Sequence, residues 1–153
     1  MIRWFGFRDS CVAVSKFERP TSVFEPNDFP TLVFIHGRFS SSETWNSLIE
    51  SLSKRHTCVC IDLPGFGESY LASGDGPSLQ ECANLVQALL SDHLSSVPVM
   101  LVGHDIGGAI AQICACEDQG RQIAGVALIN SSCVSRPLKV LPRGFGNFGP
   151  KLQ

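Results

Sequence analysis

The chain has 153 residues, of which 44% are hydrophobic and 17% are charged, and this balance is typical of one globular domain. Its formal net charge of -2 and its pI near 6.0 provide no basic surface that would hold phosphates. We therefore expect neither a nucleic acid nor an anionic membrane as a partner. The expected partner is a small-molecule substrate or another protein.

The sequence predicts a cytoplasmic protein without a metal or cofactor. Residues 1–10 contain no apolar segment with a cleavage site, and no apolar run is long enough to span a bilayer. The 7 cysteines are odd in number and lack C-x-x-C spacing, which favours buried thiols over disulfides or zinc. The run GFGNFG at 144–149 has the spacing of a dinucleotide fingerprint, but too few residues follow it to form the required helix.

In chain order, short apolar runs alternate with segments of helical period. Residues 2–7 and 11–17 are candidate strands that could pair in antiparallel fashion at the start of a sheet. Four further runs are continuously apolar and rich in branched residues, which is typical of strands buried on both faces of a parallel sheet. These runs are TLVFI at 31–35, CVCI at 58–61, VPVMLV at 97–102 and IAGVALI at 123–129.

Three helices are predicted between the parallel strands. The first carries Trp45, Leu48, Ile49 and Leu52 on one face, with Ser40 and Glu43 as a capping box. The second begins with the capping box Ser78 and Glu81, and the third covers about 106–118. This alternation indicates an α/β fold with a mostly parallel sheet, flanking helices and right-handed crossovers.

The stretch GHDIGG at 103–108 lies where the third parallel strand gives way to the third helix. Gly103, Gly107 and Gly108 surround Asp105 with small residues, and G-x-D-x-G-G matches the G-x-S-x-G nucleophile elbow with Asp in place of Ser. An aspartate also tolerates positive φ better than most residues. The alternative is that Asp105 merely caps the helix.

Three motifs together resemble the α/β-hydrolase superfamily, and specifically its aspartate-nucleophile branch of epoxide hydrolases and haloalkane dehalogenases. They are FIHG at 34–37, DLPGFGES at 62–69 and VGHDIGG at 102–108. The resemblance covers about residues 30–131. It implies that residues 1–133 form the N-terminal part of the α/β-hydrolase core and that residues 134–153 form an irregular tail at the start of a cap.

The resemblance implies an aspartate that attacks carbon. The carboxylate of Asp105, ionised at neutral pH, would attack an sp³ carbon, open an epoxide or expel a halide, and become an alkyl ester. Backbone N–H groups of Arg38 and Ile106 would form the oxyanion hole for hydrolysis of that ester. The remaining site residues would shape the elbow and the loop: His36, Gly37, Gly103, His104, Gly107 and Gly108.

The resemblance also has gaps. Haloalkane dehalogenases have Trp and Asn where this chain has Ile106 and Arg38, and epoxide hydrolases have Pro where it has Phe39. Epoxide hydrolases also use two cap tyrosines, whereas Tyr70 is the only tyrosine here. These departures affect halide binding and epoxide protonation, so the substrate is left open between the two classes.

The family's general base and its acid partner follow the nucleophile, beyond two further strands. None of the histidines that the chain has, His36, His56, His93 and His104, is placed to serve as the base. We therefore expect the N-terminal part of a hydrolase that does not turn over in this form. Its last strand would be an apolar edge open to self-association or to pairing with another chain. The alternative is a catalytically inactive binding or regulatory protein with the same fold.

Overall fold

The computed structural model describes residues 2–7, 10–20, 29–71, 76–119 and 122–131. In chain order, the elements are β1 Ile2–Phe7, β2 Ser10–Phe17, β3 Thr31–Ile35, a 3₁₀ helix Ser42–Trp45, α1 Asn46–Leu52, β4 Cys58–Ile61, β5 Tyr70–Leu71, α2 Leu79–His93, β6 Val99–His104, α3 Ile106–Glu117 and β7 Ile123–Ile129. The tail at 134–153 and the GFGNFG run lie outside the described residues.

The strands form one sheet in the order β1-β2-β4-β3-β6-β7, and the short strand β5 pairs with β2. Strands β4, β3, β6 and β7 are parallel, whereas β1 and β2 are antiparallel to their neighbours. This arrangement confirms the predicted α/β fold with a mostly parallel sheet. It also confirms the antiparallel start at β1 and β2.

The strand predicted at 97–102 is shifted two residues along the chain. Pro98 has no N–H for the ladder, so β6 begins at Val99. At its other end the strand extends further than predicted because Gly103 pairs with Ile35 and His104 pairs with Ile129. The two-residue strand β5 was not predicted, since so short an element carries no periodicity.

Helices cover both faces of the sheet. The capping box of α2 is confirmed: the Ser78 hydroxyl accepts from the Glu81 N–H, and the Glu81 side chain accepts from the Ser78 N–H. The capping box predicted for the first helix was wrong. Ser41 is the capping residue of the 3₁₀ helix and accepts from the Glu43 N–H at 3.4 Å, whereas Ser40 contacts Thr44 through their hydroxyls.

Side chains of β3 alternate between two cores. Val33 and Ile35 join the larger core, which packs against α2 and α3. Leu32 and Phe34 join the smaller core on the α1 face, where the Phe34 and Trp45 ring centroids are 5.2 Å apart. All four of these β3 side chains are nearly or fully buried, which explains why the run is continuously apolar.

The six cysteines within the described residues are free thiols. Cys58, Cys60, Cys82 and Cys114 are buried, as predicted, whereas Cys116 is exposed. Burial raises the pKa of Cys58 and of Cys82 to about 11 and that of Cys114 to about 12, so these thiols are protonated and act as small apolar side chains.

The carboxyl ends of β3, β4 and β6 lie at one edge of the sheet, which is where ligands of open α/β sheets bind. His36, Asp62 and Asp105 each follow one of these strands directly. Among the described residues, no helix has the length and apolar character needed to cross a membrane, and no cluster of three or more potential metal ligands occurs.

Candidate active site

Asp105 forms the sharp turn between β6 and α3. Its φ of 50° and ψ of -117° lie outside the regions that L-residues ordinarily occupy. Its N–H donates to the Ile129 carbonyl at the end of β7, and its carbonyl accepts from the N–H of Gly108 at 3.1 Å. The turn is therefore held from both sides in a strained conformation, as is common at functional sites.

The glycines around the turn allow main chains to approach closely. A Cβ on Gly103 would lie 2.4 Å from the Gly107 carbonyl oxygen, and a Cβ on Gly107 would lie 2.2 Å from the Ile35 carbonyl oxygen. At Gly108, a Cβ would meet the Ser131 hydroxyl. A larger residue at Gly103 or Gly107 would push α3 away from the sheet, and one at Gly108 would displace Ser131, so small residues at these positions are a packing requirement of this turn.

The Asp105 carboxylate points toward the loop that follows β3. Its Oδ2 accepts a hydrogen bond from the Arg38 N–H at 3.1 Å. The Asp105 side chain makes no capping hydrogen bond to the N-terminal N–H groups of α3. Ile106 is the first residue of α3 and follows the turn directly. The structure thus brings the Asp105 carboxylate and the backbone of Arg38 together.

Gly37 allows this approach. A Cβ at this position would lie 2.7 Å from Nδ1 of His104 and 3.0 Å from Cβ of Asp105. The ring of His104 therefore packs directly on the Gly37 backbone, and its buried Nδ1 makes no hydrogen bond to the part of the chain that the structure describes. Gly37 and His104 therefore lie at the contact between the loop after β3 and the turn at Asp105.

His36 is fully buried and connects two loops. Its Nδ1–H donates to the Gly37 carbonyl at 2.7 Å, and its Nε2 accepts from the Leu63 N–H at 3.0 Å. These partners require the neutral Nδ1–H tautomer, because Nε2 must carry a lone pair. Burial lowers the pKa of His36, and the Gly37 hydrogen bond and the Asp62 charge oppose part of that shift. Both ring nitrogens are engaged, so His36 cannot act as a general base in this conformation.

Lowering the pH from about 7 to about 5 should destabilise the fold through His36. The unfolded chain takes up a proton on this histidine more readily than the folded chain, so the free energy of unfolding decreases as the pH falls below the ordinary histidine pKa. Between the two pKa values the slope is up to about 1.4 kcal/mol per pH unit. Urea unfolding across this range should show a smaller pH dependence for His36→Gln than for the wild type and for the control His93→Gln, a change at an exposed residue. Equal dependence in all three would contradict this assignment.

The remaining histidines, His56 and His93, lie at the amino ends of the parallel strands, opposite the candidate site. His56 precedes β4 and its Nδ1 lies 3.2 Å from the Pro30 carbonyl oxygen, while His93 ends α2 and contacts the ring of Phe5. Both positions are remote from the carboxyl ends of the parallel strands. Neither residue is near the elbow.

Aromatic side chains border the site. Phe39, directly after Arg38, is 87% exposed and has a positive φ of 58°. Its ring centroid lies 6.5 Å from that of Phe66, which in turn makes an edge contact with His36 at 5.6 Å. Tyr70 is exposed in β5. An apolar surface of Phe39 and Phe66 therefore lies beside the loop that contacts Asp105.

Sequence reasoning missed Asp62 as a residue of this region. The motif DLPGFGES was recognised as a loop, but no role was assigned to its aspartate. Asp62 is buried at the end of β4 and accepts hydrogen bonds from the Ser42 and Glu68 N–H groups. An aspartate directly after a buried strand and before two glycines was the available signal.

The sheet order, the elbow and the loop after β3 define an α/β-hydrolase fold. The family model for the alpha/beta hydrolase fold matches residues 30–151, and the chain belongs to this family. Among curated proteins, it is 32% identical over 101 residues to a magnesium-chelatase 30 kDa subunit of Rhodobacter capsulatus, a match that covers 66% of this chain and 35% of that protein. It is also 32% identical over 107 residues to protein phosphatase methylesterase 1 of Mus musculus, with 66% of this chain and 27% of the relative covered.

Solved structures share the fold. An alpha/beta hydrolase fold protein from Burkholderia ambifaria superposes with a TM-score of 0.71 at 26% identity, covering 88% of this chain and 45% of that one. A haloalkane dehalogenase from Bradyrhizobium elkani gives a TM-score of 0.71 at 24% identity, covering 86% and 42%. The chain thus spans less than half the length of each of these relatives.

Proposed function

We propose that this chain carries the nucleophile of a hydrolase that attacks an sp³ carbon, with Asp105 as the attacking group. A carboxylate oxygen forms a bond to carbon, and the bond from that carbon to an epoxide oxygen or a halogen breaks. The product is an alkyl ester of Asp105, with either a free halide or an alkoxide that takes a proton from water. An ionised carboxylate needs no base for this step.

The observation that supports the proposal is the conformation of Asp105 and the direction of its carboxylate. The residue occupies a strained turn and points at the β3 loop rather than capping α3. A helix cap would need neither the strain nor the close-packed glycines around it. The Arg38 N–H that holds Oδ2 would also be available to stabilise an oxyanion on the same carboxyl group during ester hydrolysis.

We expect the ester to persist in this chain. Within the described part of the chain, His36 is fully hydrogen-bonded, and His56 and His93 lie at the other edge of the sheet. His104 packs its buried Nδ1 against Gly37, so none of these histidines is arranged to activate a water molecule against the esterified Asp105. The activity of this chain is therefore a single turnover.

Incubation with 1,2-epoxybutane, and separately with 1-bromobutane, tests the proposal. We expect stoichiometric addition of one alkyl group to Asp105, located at that residue by fragmentation of its peptide and counted separately from alkylation of thiols such as the exposed Cys116. The variant Asp105→Asn should remain unmodified, whereas Asp92→Asn, a change at an exposed carboxylate, should be modified like the wild type. Absence of the adduct on Asp105 with both reagents would instead favour an inactive fold that serves as a binding or regulatory partner.

We also propose that two copies associate through the outer edge of β7. Among the described strands, β7 pairs only with β6, and Leu128 and Ile129 are 49% and 41% exposed. Two copies of one edge strand can pair around a two-fold axis. Sedimentation should show a concentration-dependent dimer that Leu128→Lys weakens and that the control Leu48→Lys, at an exposed site on α1, leaves intact. A monomer at all concentrations would contradict this proposal.

A further inference from the structure

Asp62 is a buried carboxylate whose two oxygens each accept a backbone N–H from a different loop. Oδ1 accepts from Ser42 at 2.6 Å and Oδ2 accepts from Glu68 at 3.0 Å. Asp62 is only 3% exposed. A carboxylate buried to this degree is unfavourable unless its lone pairs are satisfied, so these two hydrogen bonds require both loops to remain in place.

The loop at 62–69 is shaped around this carboxylate. Gly67 has a positive φ of 52°, and a Cβ there would lie 2.3 Å from Oδ2 of Asp62. Ser69 donates its hydroxyl to the Asp62 carbonyl at 2.6 Å and accepts from the Ala13 N–H of β2 at 2.8 Å. The loop is therefore fixed to the sheet, and it presents the Asp62 carboxylate as a rigid acceptor.

The loop that contacts Asp105 is attached to this rigid loop at two points. His36, at one end, accepts from the Leu63 N–H, and Ser42, at the other end, donates to Asp62. Arg38 and Phe39 lie between the two attachments. Phe39 has a positive φ of 58°, which an aromatic residue keeps only where its surroundings impose it.

We propose that Asp62 is a positioning residue for the reaction at Asp105. By holding Ser42, it fixes the segment in which the Arg38 N–H meets Oδ2 of Asp105, and so it orients the attacking carboxylate. This inference rests on the proposed function for the effect on reaction rate, but the effect on the Arg38 N–H is independent of it.

Two variants weaken the hydrogen bonds of Asp62 from opposite sides: Ser42→Pro removes the Ser42 donor, and Asp62→Asn leaves one oxygen for the two N–H groups. Asp62→Asn keeps the size of the side chain but replaces one oxygen with an amide NH₂ group, which cannot accept from a backbone N–H. Ser42→Pro removes the donor at the first position of the 3₁₀ helix, where proline is tolerated, and Ser41 before it already has extended dihedral angles. The matched control is Asp118→Asn, since Asp118 also accepts a backbone N–H, that of Ile123 at 2.8 Å, but at the opposite edge of the sheet.

The test measures the rate of Asp105 alkylation by 1-bromobutane and the hydrogen exchange of the Arg38 amide, with amides of α2 as a reference for global stability. We expect Asp62→Asn and Ser42→Pro to slow alkylation at least about tenfold and to speed Arg38 exchange relative to α2, while Asp118→Asn changes neither. If Asp62→Asn does not fold, Ser42→Pro decides the outcome. Wild-type alkylation and Arg38 exchange in Ser42→Pro would overturn the proposal. If the wild type itself is not alkylated, the proposed function fails, and Arg38 exchange alone decides whether Asp62 has this role.

Discussion

Replacing Gly107 with alanine should destabilise the fold by at least about 3 kcal/mol, a large part of the stability of a typical domain. The added Cβ would lie 2.2 Å from the carbonyl oxygen of Ile35 and 2.5 Å from that of His36. Both obstacles are backbone atoms at the end of β3, so no side-chain rotation relieves the clash. α3 would have to move away from the sheet and take Asp105 with it.

Urea unfolding measures this loss of stability as a lower urea concentration at the midpoint, with an unchanged dependence of the unfolding free energy on urea. The matched control is Gly125→Ala in β7, where the new Cβ would meet only the Met100 side chain at 4.0 Å. We expect that control to stay within about 0.5 kcal/mol of the wild type or to gain stability. Equal effects at both positions would show that the close approach of α3 to β3 does not exist in solution.

Asp105→Gly should be more stable than Asp105→Ala by about 2 kcal/mol. Both variants lose the carboxylate, so their difference isolates the backbone conformation with φ of 50° and ψ of -117°. Glycine adopts such a conformation without steric cost, whereas alanine retains the strain. Neither variant should form the alkyl ester, so relief of strain is obtained only by losing the proposed nucleophile.

The same pair of substitutions at Asp118 provides the control. Asp118 ends α3 with φ of -69° and ψ of 91°, an extended conformation open to alanine. Glycine should therefore give no advantage over alanine there. An equal stability difference between the glycine and alanine variants at Asp105 and at Asp118 would mean that the backbone of Asp105 is not strained. The distinction between a nucleophile and a helix cap would then lose its main support.

Much of this fold could be predicted because buried strands have a recognisable apolar sequence pattern. β3 and β4 are buried on both faces, so their runs are continuously apolar and their bounds were predicted correctly. The bounds of β6 were wrong at both ends, since they depend on the missing N–H of Pro98 and on pairing with a neighbouring strand. The strand with which a segment pairs depends on the tertiary structure, and the periodicity of that segment alone does not indicate it.

Some residues of the candidate site could be predicted from the sequence and others could not. Asp105 and its glycines were predictable because a tight strand-to-helix turn imposes a local sequence pattern. The contact between Arg38 and Asp105 joins residues 67 positions apart, and only the family resemblance indicated it. The position of Asp62 after a buried strand was visible in the sequence, but its role was not, because its partners Ser42 and Glu68 contribute backbone N–H groups that every residue but proline has.

The central claim is that Asp105 is a positioned nucleophile, and the most direct test is the rate of its esterification by 1-bromobutane relative to that of the exposed Asp92 in the same sample. Quantitative peptide mapping over time gives both rates. We expect Asp105 to react at least about a hundredfold faster, because the turn and the Arg38 N–H orient its carboxylate. Equal rates at the two carboxylates would contradict the claim.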